Sequence, residues 1–181
     1  QRGDTESLAV DKGEAYVGIE LANEIARYDL SKDGVMARAQ PVPVPIAAKS
    51  LPFNRGFEAI GIVPAGAPLA GTLVAISERS SERGPVTKGF LIGGPSPGEF
   101  AVKRDFAFDI TDLAFLPDGD MLTLERRFSL LRGIAMRIRR IAGADLKPGA
   151  VLDGPVLLEA SSGVQIDNME ALAIGQDRQG R

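Results

Sequence analysis

An acid stands directly before a short apolar run at four places: Glu6 in "TESLAV", Glu58 in "FEAIGI", Asp112 in "TDLAF" and Glu170 in "MEALAI". Intervals of 52, 54 and 58 residues separate them in turn. A second set of acids closes the runs that follow: Glu20 in "YVGIE", Glu78 in "VAISE" and Glu125 in "LTLERR". Carboxylates gathered this way can supply the six to eight oxygen ligands that Ca²⁺ prefers. A bound Ca²⁺ can in turn polarise a phosphoryl oxygen or activate water. The same acids can instead accept backbone N–H groups and fasten one repeat to the next, and the residues leave both roles open. Arginine follows two of the second-set acids, Arg79 after Glu78 and Arg126–Arg127 after Glu125. A guanidinium there suits forked binding of phosphate or carboxylate. Arg126 is read as a bridge to a carboxylate of a neighbouring repeat.

Elements able to repeat these acids are short strands. Each interval holds apolar runs of strand length separated by turn signals such as "DKG", "SKDG" and "PDG", with poor helical periodicity throughout. A period in the low fifties filled with short strands marks a propeller or a related β array. The fold class expected is all-β: propeller blades of four antiparallel strands, three full blades and the start of a fourth. The repeat units are 1–53, 54–107, 108–165 and the incomplete 166–181. The fourth strands are placed at "VMARAQ", "EFAVKR" and "VLDGPVLLEA", with "PVPVP" at Pro41–Pro45 as an extended connector. Strands one and two of a unit are antiparallel neighbours, so both sets of acids should meet at one mouth of a central channel. Three units do not close a ring, since propellers have 4–8 blades. The remaining blades are expected from the rest of a longer parent chain or from another chain.

Composition narrows the chemistry. The 181 residues include no cysteine and no histidine. Disulfides, thiolate metal sites, Ser-His-Asp triads and histidine-ligated zinc are therefore excluded within this chain. The net charge of -3 and pI near 5.1 give no bulk positive field for nucleic acid. The basic run "RGIAMRIRRI" alternates Ile134, Met136 and Ile138 with Ala135, Arg137 and Arg139, which reads as a half-exposed strand with a wet basic face. The uncharged stretch around "VPAGAPLAG" carries too many prolines and glycines to span a membrane and reads as a loop between two short strands. No signal peptide, P-loop, dinucleotide fingerprint or nucleophile elbow is visible, and no nucleotide or organic cofactor is expected.

The pieces "NRGFEAIGI", "ITDLAFLPDGDMLTLERRF" and "DNMEALAI", with "RIRRI", resemble the esterase-like phytase-like family of bacterial propeller proteins. The resemblance covers essentially the whole chain and respects the repeat. It implies an exported protein, periplasmic or extracellular, and a hydrolase of a small anionic phosphoester or ester. It carries over Glu6, Glu58, Asp112 and Glu170 as Ca²⁺ ligands. Glu78 and Glu125 are then the candidate catalytic bases, and Arg79 and Arg127 bind the anionic group. Asp167 and Asn168, just ahead of Glu170, add oxygen ligands or turn bonds near the mouth. The alternative is a non-catalytic ligand- or protein-binding scaffold whose acids are structural.

Overall fold

The computed structural model describes residues 4–49, 51, 56–77, 84–105, 107–130, 133–161, 163–164 and 166–175. Within them the chain is all-β, with three sheets and only one-turn helices between strands. The first sheet runs β1 (Thr5–Asp11), β2 (Glu14–Ile19), β3 (Glu24–Asp29) and β4 (Gln40–Val42) in that order. The second runs β5 (Phe57–Ile62), β6 (Leu73–Ser77), β7 (Val86–Ile92) and β8 (Gly98–Lys103), again in chain order. The third contains β9 (Asp109–Phe115), β10 (Met121–Ser129) and β11 (Gly133–Ile141). Neighbouring strands are antiparallel throughout, save for β12 (Val151–Leu152), which pairs parallel with β8. The last strand, β13 (Val156–Ser161), pairs with β11 and completes the third sheet.

Turn chemistry sets the first hairpin. Asp11 faces Glu14, which leaves Lys12 and Gly13 as a two-residue turn, and both hold positive φ at 47° and 81°. That geometry matches the right-handed twist of the flanking strands. Farther on, Asp29 caps the helical turn Leu30–Asp33 by accepting from the Ser31 and Lys32 N–H groups.

Two expected strands lie elsewhere. "VMARAQ" is not a strand over its length: Gly34–Met36 form a 3₁₀ turn, and the fourth strand, Gln40–Val42, starts at the last residue of that run and continues into the expected connector. β4 is an outer edge, where Pro41 need not donate to a further neighbour. The single strand expected over "VLDGPVLLEA" is split at Asp153–Pro155. Leu152 turns into the core beside the second sheet, and Gly154 passes so near the Arg140 carbonyl that a Cβ would lie 2.0 Å from its oxygen. A third expectation, an inner strand at "EALAI", is also corrected. Among the described residues, 166–175 form no strand and lie against β9 through hydrogen bonds that involve its side chains.

The second sheet is the centre of the molecule, and all five residues of β6 are buried. One face packs Phe57, Ile60, Ala75 and Phe90 against Ile25, Ala48 and Leu51. Phe57 and Phe90 meet edge to face at 6.0 Å. The opposite face packs Val74, Ile76, Leu91 and Phe100 against Ile110, Leu113, Met121 and Ile141 of the third sheet. Each large side chain buried this way contributes about 1.5–3 kcal/mol. The sheets' first strands are successive neighbours, β1 beside β5 and β5 beside β9. Ser7 Oγ donates to the Phe57 carbonyl at 2.9 Å, and Thr111 Oγ1 donates to the Met169 carbonyl at 3.1 Å. Each bond joins a hydroxyl on one first strand to the carbonyl just ahead of the next repeated acid.

Candidate functional site

Pairing within each sheet shows why the repeated acids stand out from their strands. Thr5 faces Ile19 and Ser7 faces Gly18, so Glu6 is an extra residue with no partner in the ladder. Phe57 faces Ser77 and Ala59 faces Ile76, so Glu58 is the extra residue of β5. In β9 the bulge falls one position early. Ile110 faces Glu125 and Asp112 faces Leu124, which leaves Thr111 extra. A bulge re-aims the side chain it carries, and the first two acids are themselves bulge residues.

Around Glu6 the acids cluster. Carboxylate oxygens of Asp4, Glu6 and Glu20 lie within 4.8 Å of one another. Glu20 begins the turn after β2, is buried, and donates its backbone N–H to the Asp4 carbonyl at 3.0 Å. Asp4 takes a positive φ of 81° to enter β1. A hydrogen bond with the Asp4 carboxyl raises the pKa of Glu6 to about 7, with help from burial and from the charges of Asp4, Glu20 and Glu170. No lysine or arginine pairs with these three acids among the described residues. An all-oxygen donor set with uncompensated charge fits a hard divalent cation, with water completing the ligands of Ca²⁺.

A cleft of about 490 Å³ opens beside this cluster and brings Glu6, Asp112 and Glu170 to one space, walled by Leu8, Leu172 and Ala173. Asp112 Oδ1 accepts from the Leu113 N–H at 2.8 Å and Oδ2 from the Leu172 N–H at 2.6 Å. Burial lifts its pKa to about 6 and outweighs those two bonds, which favour the ionised form. Glu170 accepts from Arg126 at 2.6 Å and from the Asn168 amide. Asn168 also pairs with Arg126. Arg126 therefore forms the bridge to a carboxylate of another repeat. Asp167 accepts from the Asn168 N–H at 2.8 Å in a local turn. Glu58 is half-buried on β5 and is not part of the cleft lining. Glu78 and Arg79 lie outside the described residues.

Glu125 faces the second sheet and is buried. Arg137 Nε donates to its Oε2 at 2.7 Å, Arg139 Nε to its Oε1 at 2.5 Å, and Thr123 Oγ1 to Oε1 at 3.1 Å. The two arginines reach onward to Asp105 and Asp153, each at 3.0 Å. Burial opposes ionisation of those two aspartates, yet Ala107 N–H and Arg137, and Gly154 N–H and Lys103, hold both below the usual range. The basic face of β11, expected to be wet, is thus covered, because Glu125 supplies the opposing charge. Arg137 also stacks 4.2 Å from the Phe108 ring centroid, and Arg127 lies 5.1 Å from the same ring. Arg127 Nε is buried without a hydrogen-bond partner.

Asp4 and Glu20 thus belong to the acid cluster, although neither is among the ligands that the resemblance carries over. The signal for Glu20 is its place at the end of the second strand, and Asp4 stands two residues ahead of the bulged acid.

Fold and cleft together define an all-β protein with an oxygen-donor site and no imidazole or thiol chemistry of its own. The family model described as "Phytase-like: Esterase-like activity of phytase" matches residues 1–181, and the chain belongs to that family. No curated protein matches it. A solved structure of a protein of unknown function from Bacteroides caccae is similar at 10% sequence identity and a TM-score of 0.40. The match covers 88% of this chain and 61% of that one. Among the described residues no helix is long and apolar enough to cross a membrane.

Proposed function

We propose that this protein is a Ca²⁺-assisted hydrolase of carboxylic or phosphoric esters, with its chemistry in the cleft beside Glu6. The observation that carries this reading is that Glu6 joins the Asp4–Glu6–Glu20 cluster to a cleft lined also by Asp112 and Glu170, with no basic side chain in its lining among the described residues. Asp4, Glu6 and Glu20 would hold the cation. When bound, Ca²⁺ supplies Lewis-acid polarisation of the carbonyl or phosphoryl oxygen. Asp112 serves as general base. With a pKa raised to about 6 it is ionised at neutral pH and still basic enough to take a proton from a water in the cleft. The Leu113 and Leu172 N–H groups fix its orientation. The base role expected at Glu125 passes to Asp112, because Glu125 is buried in ion pairs with Arg137 and Arg139 while Asp112 lines the cleft. Arg127, expected to bind the anionic group, lies over the Phe108 ring beside Arg137 and is not among the residues that line the cleft.

In the same reading the three sheets are blades of a larger propeller with β1, β5 and β9 nearest its axis. The remaining blades come from the rest of the parent chain or another chain. Family membership supports an exported protein, periplasmic or extracellular. The test is release of nitrophenol from p-nitrophenyl acetate and p-nitrophenyl phosphate by the longest chain that folds, in Ca²⁺ and in chelator. Ca²⁺-dependent turnover that Glu6→Gln and Asp112→Asn abolish supports the hydrolase. Equal rates in chelator sink the metal role, and no turnover on any ester sinks the hydrolase.

A second reading, a binding scaffold, draws on the bonds that tie Asp112 and Glu170 to neighbouring segments. It requires a melting temperature indifferent to Ca²⁺ and to chelator.

A further inference from the structure

The first two sheets face each other across a space that is filled in one part and hollow in another. Ile25, Ile60, Ala75 and Phe90 fill the first part. Beyond them lies a slot of about 490 Å³, which shares no lining residue with the acid cleft among the described residues. Strand pairing explains its walls. Tyr16 faces Arg27 and Arg27 faces Gln40, so these three stand in one row across β2, β3 and β4. Ile62 faces Leu73 and Leu73 faces Ile92, which makes a second row across β5, β6 and β7. Both rows line the slot, as does Val42. Each row crosses two interstrand gaps, roughly 10 Å at about 4.8 Å apiece.

The polar row is already wired. Tyr16 donates to Glu14 Oε2 at 2.7 Å, Arg27 to Glu14 Oε1 at 3.1 Å, and Arg27 to Gln40 Oε1 at 2.5 Å. Burial and the bond to Glu14 push the Tyr16 pKa up to about 12, so its hydroxyl stays protonated and spent on that bond. Glu14 also balances the charge of Arg27. What remains among the described residues is spare N–H on Arg27 and on the Gln40 amide. Spare donors without spare charge, opposite a wall of hydrocarbon, suit a flat uncharged ring that carries an acceptor oxygen. An anionic ring would meet Glu14, and Asp11 adds negative charge near Tyr16. A ring without oxygen would strip water from Arg27 and Gln40 and return no hydrogen bond.

The geometry points to a second binding site, a slot between the first two sheets that takes a planar, uncharged ring bearing a carbonyl oxygen. The site is separate from the acid cleft and does not depend on the hydrolase reading. The probe is chromone, a neutral bicyclic ketone with no ester bond, followed by saturation-transfer NMR with the folded protein. Transfer should appear and titrate to saturation. Naphthalene, of similar shape without oxygen, and chromone-2-carboxylate, an anionic analogue, should each bind about tenfold more weakly. Val42→Trp fills the slot from an edge strand, and Arg27→Met removes donors from a part-exposed position. Each should weaken chromone binding about tenfold while melting like the wild type. If Val42→Trp does not fold, Arg27→Met decides alone. No transfer to chromone, equal binding of the three rings, or chromone binding unchanged in the folded variants overturns the site.

Discussion

Glu20 and Glu125 both belong to the second-strand region of their sheets and both are buried: Glu20 directly follows β2, and Glu125 lies within β10. Their surroundings are opposite. Glu20 has two further carboxylates within 4.8 Å, whereas Glu125 has one arginine on each oxygen. The cause lies in the third strand. β11 presents Arg137 and Arg139 across the ladder from Glu125 and Thr123, while the strand beside Glu20 begins Glu24-Ile25-Ala26. Buried carboxylates that are paired hold a fold together. In the other cluster Glu20 is buried while Asp4 and Glu6 are exposed, and carboxylates crowded this way without a counterion repel one another until a proton or an added cation relieves them.

The largest effect should come from breaking the paired region. Glu125→Gln leaves the buried Arg137 and Arg139 with only the half-exposed Asp105 and Asp153 as counterions and should cost about 3 kcal/mol, read from urea unfolding. Glu20→Gln removes like-charge repulsion and should change stability by less than about 1 kcal/mol, toward stabilisation. If the two cost the same, the contrast between the regions is wrong. Next in size is the response to Ca²⁺. At a hundredfold excess over its dissociation constant, a cation at the unpaired cluster adds about 2.7 kcal/mol. That should raise Tm by about 2–4 °C per kcal/mol for a chain of this length. Glu6→Gln should remove most of the rise.

Acidity should act on the two regions with opposite sign. In the folded chain the pKa of Glu6 is raised to about 7 and that of Asp112 to about 6, from ordinary values of 4.5 and 3.8. Between those limits the folded state holds more protons than the unfolded one. Their contribution is greatest below about pH 4 and lost as pH rises through 7. Asp105 and Asp153 are held low, so their contribution is present above 3.8 and lost on further acidification. Melting curves from pH 3 to pH 8 in chelator should show both limbs, and Glu6→Gln should flatten only the upper one. The smallest effect is expected at Arg126→Ala, which breaks a part-exposed pair with Glu170 and should cost under about 1 kcal/mol.

Much of this was readable from residue order, and the failures are physical rather than random. Glu6, Glu58 and Asp112 stand before apolar runs that do become β1, β5 and β9, because a run bounded by turn residues has few other uses. The alternation in "RGIAMRIRRI" gave the two faces of β11 correctly. It could not say which face is covered, since that depends on a carboxylate 12 residues away in sequence and opposite in the ladder. Sequence spacing also aligned Asp112 with Glu6 and Glu58, whereas the bulge falls on Thr111. A one-residue bulge leaves no mark on composition yet changes where every earlier side chain points. The acid cluster was half visible for the same reason: Glu20 follows from strand pairing, but Asp4 enters through a backbone turn with positive φ.

The strand β6 has one further consequence. It lies inside the middle sheet, paired with β5 and β7, and all five of its side chains are enclosed. Its amide hydrogens can meet solvent only when both apolar layers separate, so they should exchange at the rate of global unfolding. The Asp4 and Glu6 carboxylates are exposed, so a ligand can reach them with β6 still in place. Access to the cleft and collapse of the molecule are therefore separate events, and a ligand can come and go while the centre stays closed to deuterium.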